Sequence, residues 1–422
     1  MDGGSPELLS PAGTLKNLRY ALAYGADAVY AGVPRYSLRV RNNDFRGPEQ
    51  VGEGVRLAHA AGRKFLLAVN ALPHGAKLRT FIADMEPLIE QGPDALIMAD
   101  PGLIHLTRQR WPEQAIHLSV QANTMNAEAV RFWQSVGVER VILSRELSLD
   151  QIEEIRQACP DVELEVFVHG ALCIAHSGRC LLSGYFNHRD ANQGTCTNAC
   201  RWEYKVSGGS DESHGRPEIF LEEKQRPGEF MPVEEDEHGT YIMNSKDLRA
   251  VQHVSRLAAM GIDCLKIEGR TKSHYYTARA TAAYRKAIDD ARAGRDLDPA
   301  LIADLDGLAS RGYTDGFFER HTPEETQNYL DGASRPDKEH FVGEIESVDE
   351  AGIWVQVKNK FAVSDQLRLV TPQGGLDFEL RELTGERGQA MEVAPGAGYR
   401  VRMPLPEQSG CVDEFALLTR YL

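Results

Sequence analysis

Long apolar runs are missing from this chain of 422 residues. No stretch approaches the roughly 18 uninterrupted apolar residues that a membrane-spanning helix requires. The opening MDGGSPELLSPAG has no basic region followed by an apolar run, so no secretory leader is expected there. Positive charge is also short: 47 Lys and Arg stand against 62 Asp and Glu, a net charge of −15, which argues against an extended nucleic-acid-binding surface. The common catalytic signatures are absent as well. The chain has no His-Glu-x-x-His, no Gly-x-Ser-x-Gly elbow, no Gly-x4-Gly-Lys-Ser/Thr loop, and no Gly-x-Gly-x-x-Gly opening a helix after a strand. Serine or zinc-protease hydrolysis and nucleotide binding of the usual kinds therefore have no support. These absences predict a cytoplasmic protein with no membrane association.

Cysteine is sparse too, seven in all, but four fall in one segment: Cys173-x6-Cys180-x15-Cys196-x3-Cys200. In a reducing compartment such clustering points to thiolate ligands rather than disulfides. Four thiolates complete the set of either a zinc ion or an iron-sulfur cluster. Structural zinc usually takes close Cys-x2-4-Cys pairs, and only Cys196 and Cys200 fit that spacing. The spacing therefore favours an iron-sulfur centre, a 4Fe-4S cluster, with zinc as the alternative. Cys200 is followed by Arg201-Trp202-Glu203, so the tight Cys-x3-Cys-x2-Cys loop of radical S-adenosylmethionine enzymes is not present. Cys159, Cys264 and Cys411 read as buried small hydrophobes.

Short apolar runs alternate with amphipathic stretches, the pattern of strand–helix units around a parallel sheet. Eight strands are predicted: 7–10, 28–31, 64–70, 95–99, 116–120, 140–144, 164–169 and 264–268. Helical stretches such as LKNLRYALAYG, VRLAHAAG and VSRLAAMG end in a glycine suited to a left-handed cap. Eight units predict an α/β fold, a TIM-type (β/α)8 barrel over residues 1–334, with a metal-cluster segment at 173–200 and an acidic insertion at 205–240. After Ser334 the texture turns to short β-rich runs punctuated by turns, which predicts a small C-terminal β-barrel over 338–422.

A TIM-type barrel places its active site at the C-terminal ends of its strands. Polar residues fall there: Ser10, Asn70, Asp100, Gln121, Asn123, Arg145, Glu146, His169, Glu268 and Arg270. His169 and His176 flank Cys173 and are candidates for acid or base work near neutral pH. Glu268 is a third candidate catalytic group. The strings RYSLRVRNN and KIEGRTK read as local basic patches.

The strings ELLSPAGTLKNLRYALAYGADAVYAG, IHLSVQAN, RVILSRELSL, VFVHGALC, SGRCLLSGY, QGTCTNACRWEY and LKIEGRTKS resemble the collagenase-like peptidase family over essentially the whole chain, and within it the members that hydroxylate tRNA. The peptidase label itself finds no support in these residues. The resemblance implies an RNA-modifying enzyme that installs a hydroxyl at carbon 5 of the wobble uridine. It implies that the reaction runs without molecular oxygen, with prephenate as co-substrate and with an iron-sulfur centre on Cys173, Cys180, Cys196 and Cys200. The implied partners are the tRNA anticodon loop and the iron-sulfur assembly machinery, with no stable protein partner. A dicarboxylate such as prephenate calls for guanidinium forks, and the candidates are Arg39, Arg41, Arg145, Arg179 and Arg270. The uracil edge calls for amides, and Asn42, Gln121 and Asn123 are the candidates. A splayed base calls for an aromatic platform, for which Tyr36, Tyr185 and Trp202 are available. Two other readings stay open: a cluster-bearing hydroxylase of ribosomal RNA or a quinone precursor, and a non-catalytic interaction protein stabilised by zinc.

Overall fold

The computed structural model describes residues 5–38, 43–172, 246–310, 312–319, 339–349, 352–406 and 412–422, and the backbone of short strands between 204 and 240. Eight parallel strands form the framework: β1 (Glu7–Pro11), β2 (Ala28–Gly32), β3 (Lys64–Val69), β4 (Ala95–Met98), β5 (Ile116–Leu118), β6 (Arg140–Ile142), β7 (Glu163–Ala171) and β8 (Cys264–Ile267). Each pairs with the next in sequence order. β8 pairs with β7 on one side and with β1 on the other, Leu8 opposite Leu265, and so closes the barrel. All eight strands coincide with the sequence expectation to within two residues or so at their ends. Runs such as Phe65–Val69 and Ala95–Met98 are buried along their whole length, as strands covered on both faces must be.

Helices fill the crossovers and start where the sequence supplies caps. Thr14, Asp100 and Ser273 each accept a backbone N–H of the first turn, and Ser148 and Gln151 form a reciprocal capping box. The glycine after the first helix, Gly25, takes φ +96°, a conformation that costs other residues more.

A short strand, Asp247–Arg249, runs antiparallel to the end of β7 and parallel to Tyr313–Thr314. The acidic insertion contains a three-stranded antiparallel sheet, Tyr204–Ser210, Pro217–Glu223 and Phe230–Val233. The β domain expected after Ser334 is a seven-stranded antiparallel sheet, running from the outer strand Gly374–Glu379 to the outer strand Thr384–Gly385. Among the described residues no ladder joins those two outer strands. This domain has a core of its own around Val342, Val355, Leu367 and Leu418.

The two domains are joined by packing as well as by the chain. Val370 and Leu417 belong to the barrel's hydrophobic core, Tyr275 stacks on Phe341 with centroids 4.8 Å apart, and the Tyr24 hydroxyl donates to the Phe415 carbonyl at 2.9 Å. Lys16 Nζ donates to Glu344 Oε2 at 2.6 Å. Burial alone would raise the Glu344 carboxyl, but hydrogen bonds from His274 and Lys16 outweigh it and bring the pKa down to about 2. Among the described residues no helix is long and apolar enough to cross a membrane.

Candidate active site

Alternation along β8 turns Cys264 and Lys266 toward the barrel axis, with Glu268 following on the same face. Lys266 is buried, and its ammonium donates to Glu165 Oε1 of β7 at 2.7 Å. Glu165 is also buried; its other oxygen lies 3.5 Å from Arg140 Nη1 of β6, and that same nitrogen reaches Glu7 Oε1 of β1 at 2.9 Å. Arg140 also donates from Nε to Glu163 Oε2 at 2.7 Å, and Lys64 reaches Glu7 at 2.6 Å, so each buried charge has a partner of opposite sign. His117, beside them, is held neutral: burial pushes its pKa well down, and the nearby positive charges of Arg140 and Lys266 push it further. Burial also lowers the Lys266 pKa, against the pull of Glu165.

Above this ion-pair layer the C-terminal ends of the strands open into a pocket. Its described lining includes Tyr30, Asn70, Ser119, Gln121, Arg145, Glu146, Phe167, Leu172, Lys266, Glu268, Arg270 and Phe317. Lys266 Nζ lies 4.4 Å from the Tyr30 ring centroid, and the Arg145 guanidinium lies 4.0 Å from that of Phe167. These cation–π contacts help hold both cations at the pocket.

Arg270 is fixed by two donated hydrogen bonds, to Ser37 Oγ at 2.7 Å and to the Leu38 carbonyl at 2.6 Å. Gly32 makes this placement sterically feasible: a Cβ there would stand 2.2 Å from Arg270 Nη1 and 2.3 Å from Ser37 Oγ. Gly32→Ala must therefore displace the guanidinium or the loop beneath it. The expected cost is about 1 to 3 kcal/mol, measured by urea unfolding; a variant as stable as the parent would refute the close approach.

The amides form a second wall. Asn70 Nδ2 donates to Gln121 Oε1 at 3.0 Å, while Asn70 Oδ1 accepts from the Leu38 N–H at 3.2 Å. Gln121 Oε1 also accepts from the Ser119 hydroxyl. Its carbonyl is thus committed, and among the described residues its Nε2 has no partner, which leaves it to donate to a ligand carbonyl.

Of the residues singled out by sequence, Asn70, Gln121, Arg145, Glu146, Glu268 and Arg270 are brought together here. Asn123 is not in the lining: it adopts a left-handed conformation, φ 54°, and its Oδ1 accepts from Ser144 Oγ at 3.0 Å. Asp100 caps a helix, and Ser10 is buried against Thr281. Tyr36 is a packing residue, 2% exposed, whose hydroxyl donates to Asp84 at 2.6 Å. Cys159 and Cys264 are buried free thiols, as expected. Arg39, Arg41, Asn42, Cys173, His176, Arg179, Cys180, Tyr185, Cys196, Cys200, Trp202 and Cys411 lie outside the described residues.

His169 lies away from the pocket. The ladder between β7 and β8 shifts register, pairing Lys266 with Phe167 but Ile267 with His169. A bulge of this kind reverses the alternation, so Phe167 faces inward and His169 faces outward, against the helix His274–Arg292. There it lies between the rings of Tyr276, Tyr284 and Tyr313, each 5.5 to 5.7 Å away. It is fully buried, and burial pushes its pKa down to about 3. Among the described residues its ring neighbours are these tyrosines and not the residues that line the pocket. Lys266 and Phe317 line the pocket and Glu165 lies in the ion-pair layer beneath it, and the sequence reading gave none of the three a role at the site. The signal for Lys266 was its two-residue spacing from Glu268.

The model of peptidase family U32 matches residues 13–328, and that of the U32 C-terminal domain matches residues 337–418. The chain belongs to peptidase family U32. Its U32 relatives include the tRNA hydroxylation protein P of Escherichia coli K12, 57% identical over 98% of this chain and 96% of that protein. The protein of the same name from Haemophilus influenzae is 53% identical over 99% and 96%. A more distant member, the E. coli 23S rRNA 5-hydroxycytidine C2501 synthase, is 31% identical over 94% of this chain and 56% of that protein. Among the described lining residues of the pocket there is neither a histidine nor a cysteine.

Proposed function

We propose that this U32 protein is a tRNA-modifying hydroxylase that acts on carbon 5 of the wobble uridine. The observation that carries the reading is 53 to 57% identity, over nearly the full length of both partners, to two proteins named for tRNA hydroxylation. A second family member named for hydroxylating a pyrimidine of RNA supports the same reaction class. The pocket is compatible with it. Gln121 Nε2 is placed to donate to a uracil carbonyl, and an anticodon base is unpaired, so it can be splayed into such a site.

In the finer proposal, the co-substrate is prephenate and the reaction needs no oxygen. The pocket's fixed guanidiniums, Arg145 and Arg270, suit a small dicarboxylate because a guanidinium meets a carboxylate at two points. The resident cofactor in this proposal is an iron-sulfur cluster on Cys173, Cys180, Cys196 and Cys200. The donor set fits it: four thiolates in a single segment that begins one residue after Leu172, which lines the pocket. When bound, such a cluster would supply electron transfer beside the base. The chain's own groups bind and orient. Arg270 is locked by Ser37 and Leu38, the Gln121 carbonyl is held by Asn70 and Ser119, and Lys266, paired with Glu165, lies at the floor.

The test is complementation of an E. coli strain lacking its tRNA hydroxylation protein P, grown without oxygen, with mass spectrometry of the nucleosides in tRNA and in ribosomal RNA. Restored 5-hydroxyuridine in tRNA is the expected result. An unchanged tRNA profile would sink the proposal, and a new hydroxypyrimidine confined to ribosomal RNA would replace it with the ribosomal reading.

A further inference from the structure

We infer that Phe317 is the platform on which the target base stacks, an assignment that rests on the tRNA hydroxylase reading above and names the residue that would select an unpaired base. Phe317 lines the pocket and is 45% exposed. A single exposed phenylalanine is ordinary on a protein surface, so exposure alone carries little; its place among the pocket's rings carries more. Three aromatic side chains line the described pocket: Tyr30, Phe167 and Phe317. Tyr30 and Phe167 are only 4% and 6% exposed. Lys266 lies over Tyr30, and Arg145 over Phe167. Phe317 is thus the one described lining ring with broad free surface.

The turn that presents it is held from both sides. Tyr313 and Thr314 pair with Asp247 and Leu248. The Gly316 N–H donates to Thr314 Oγ1 at 3.1 Å, and the Phe318 carbonyl accepts from the Leu149 N–H at 3.1 Å. Gly316 takes φ +66°, and a Cβ added there would meet Leu172 Cδ1 at 3.5 Å, so the turn lies against the pocket wall. The neighbouring Phe318 does the anchoring: it is 6% exposed and meets the His253 ring edge-on at 5.7 Å. One phenylalanine of the pair fixes the turn and the other is left at the pocket rim, in a conformation whose ordering cost is already met by folding.

A flat apolar ring lining the same pocket as amide and guanidinium groups suits a ligand with one π-face and a polar edge, which describes a pyrimidine base. Stacking on an aromatic side chain is tolerant of base identity, so in this arrangement Phe317 captures any unpaired base at that position and Gln121 reads its edge. Discrimination between uracil and cytosine then falls to Gln121 and its neighbours.

The experiment compares wild type with Phe317→Ala, Phe317→Tyr and Phe317→Trp. Loss of one stacked base weakens binding about ten- to a hundredfold. Phe317→Ala should raise the dissociation constant for an anticodon stem-loop by that factor, Phe317→Tyr should restore it, and thermal unfolding should be unchanged in both. The added indole in Phe317→Trp, read as difference fluorescence against wild type, should be quenched by a stem-loop carrying uridine at the wobble position and not by one abasic there. If wild type binds and hydroxylates tRNA while Phe317→Ala does both equally well, the stacking assignment is overturned and the hydroxylase reading stands. Equal quenching by the abasic loop would likewise overturn it. If wild type neither binds the stem-loop nor modifies tRNA, the reading beneath it fails and the assignment fails with it.

Discussion

Lys266→Met should lose hydroxylation and stability together, and the double variant Glu165→Gln with Lys266→Met should recover only the stability. The two groups form an ion pair at 2.7 Å with side-chain exposures of 3% and 0%. Removing one partner of such a pair strands the other charge in a low-dielectric interior, at a cost of about 3 to 5 kcal/mol. The loss should fall toward the lower end, because Arg140 remains 3.5 Å from the second oxygen of Glu165. Converting both residues to neutral groups removes the stranded charge, and replacing a buried pair by neutral side chains is often close to neutral in stability. Activity should behave differently, because Lys266 lines the pocket floor as well as bracing the barrel. A hydrogen bond to a charged group contributes about 1.5 to 3 kcal/mol, so hydroxylation should fall by roughly ten- to a hundredfold in both variants. Urea unfolding and the 5-hydroxyuridine content of tRNA measure the two effects separately. A double variant with restored hydroxylation would make Lys266 a structural residue only.

The barrel was legible because most strand residues fall in short apolar runs covered on both faces, so local composition and tertiary burial agree. Ala95–Met98, with Asp94 before it and Asp100 after it, is such a case: the first acid accepts the Phe65 N–H, and the second caps the following helix. Arg270 and Gln121 were legible by position, since polar residues just past a strand end fall at the mouth of a TIM-type barrel. His169 was misplaced for a geometric reason. Strand-end position predicts an inward side chain only if the alternation is unbroken, and the bulge opposite Lys266–Ile267 breaks it. Nothing in EVFVHGALC marks the bulge except Gly170, which takes φ +106° and would clash with the Glu268 carbonyl if it bore a Cβ.

KIEGRTK was read as a candidate local basic patch because it is rich in charge, but its Lys266 and Arg270 are buried. Cys264 and Lys266 share the inner face of β8, and Glu268 follows just past its end. Phe317 had no usable signal, because its role depends on a turn whose contacts, to Leu149 and Leu172, come from distant parts of the chain. Tyr36 shows the converse: an aromatic residue between basic neighbours looked available for stacking, yet Phe81 and Asp84 bury it.

Cys180→Ala should abolish retention of the metal centre and, with it, hydroxylation. The four-cysteine segment starts one residue after a pocket-lining leucine, and four thiolates grouped this closely suit a metal centre. A cluster held by four thiolates loses a ligand that alanine cannot replace. Protein purified without oxygen should carry about four irons and four sulfides per chain in wild type and close to none in the variant, with electron paramagnetic resonance of the reduced protein as a readout independent of turnover. Cys159→Ala is the control. Its thiol is 4% exposed and directed at the Ala127 carbonyl at 3.6 Å, so iron content should not change. Cys264 is an equally poor ligand, because burial and the adjacent Glu165 carboxylate both push its thiol well up, and metals bind the thiolate. Full iron in Cys180→Ala would remove that residue from the ligand set. One zinc and no iron in wild type would instead leave the segment a structural knot, and the electron transfer assigned to it would have to come from elsewhere.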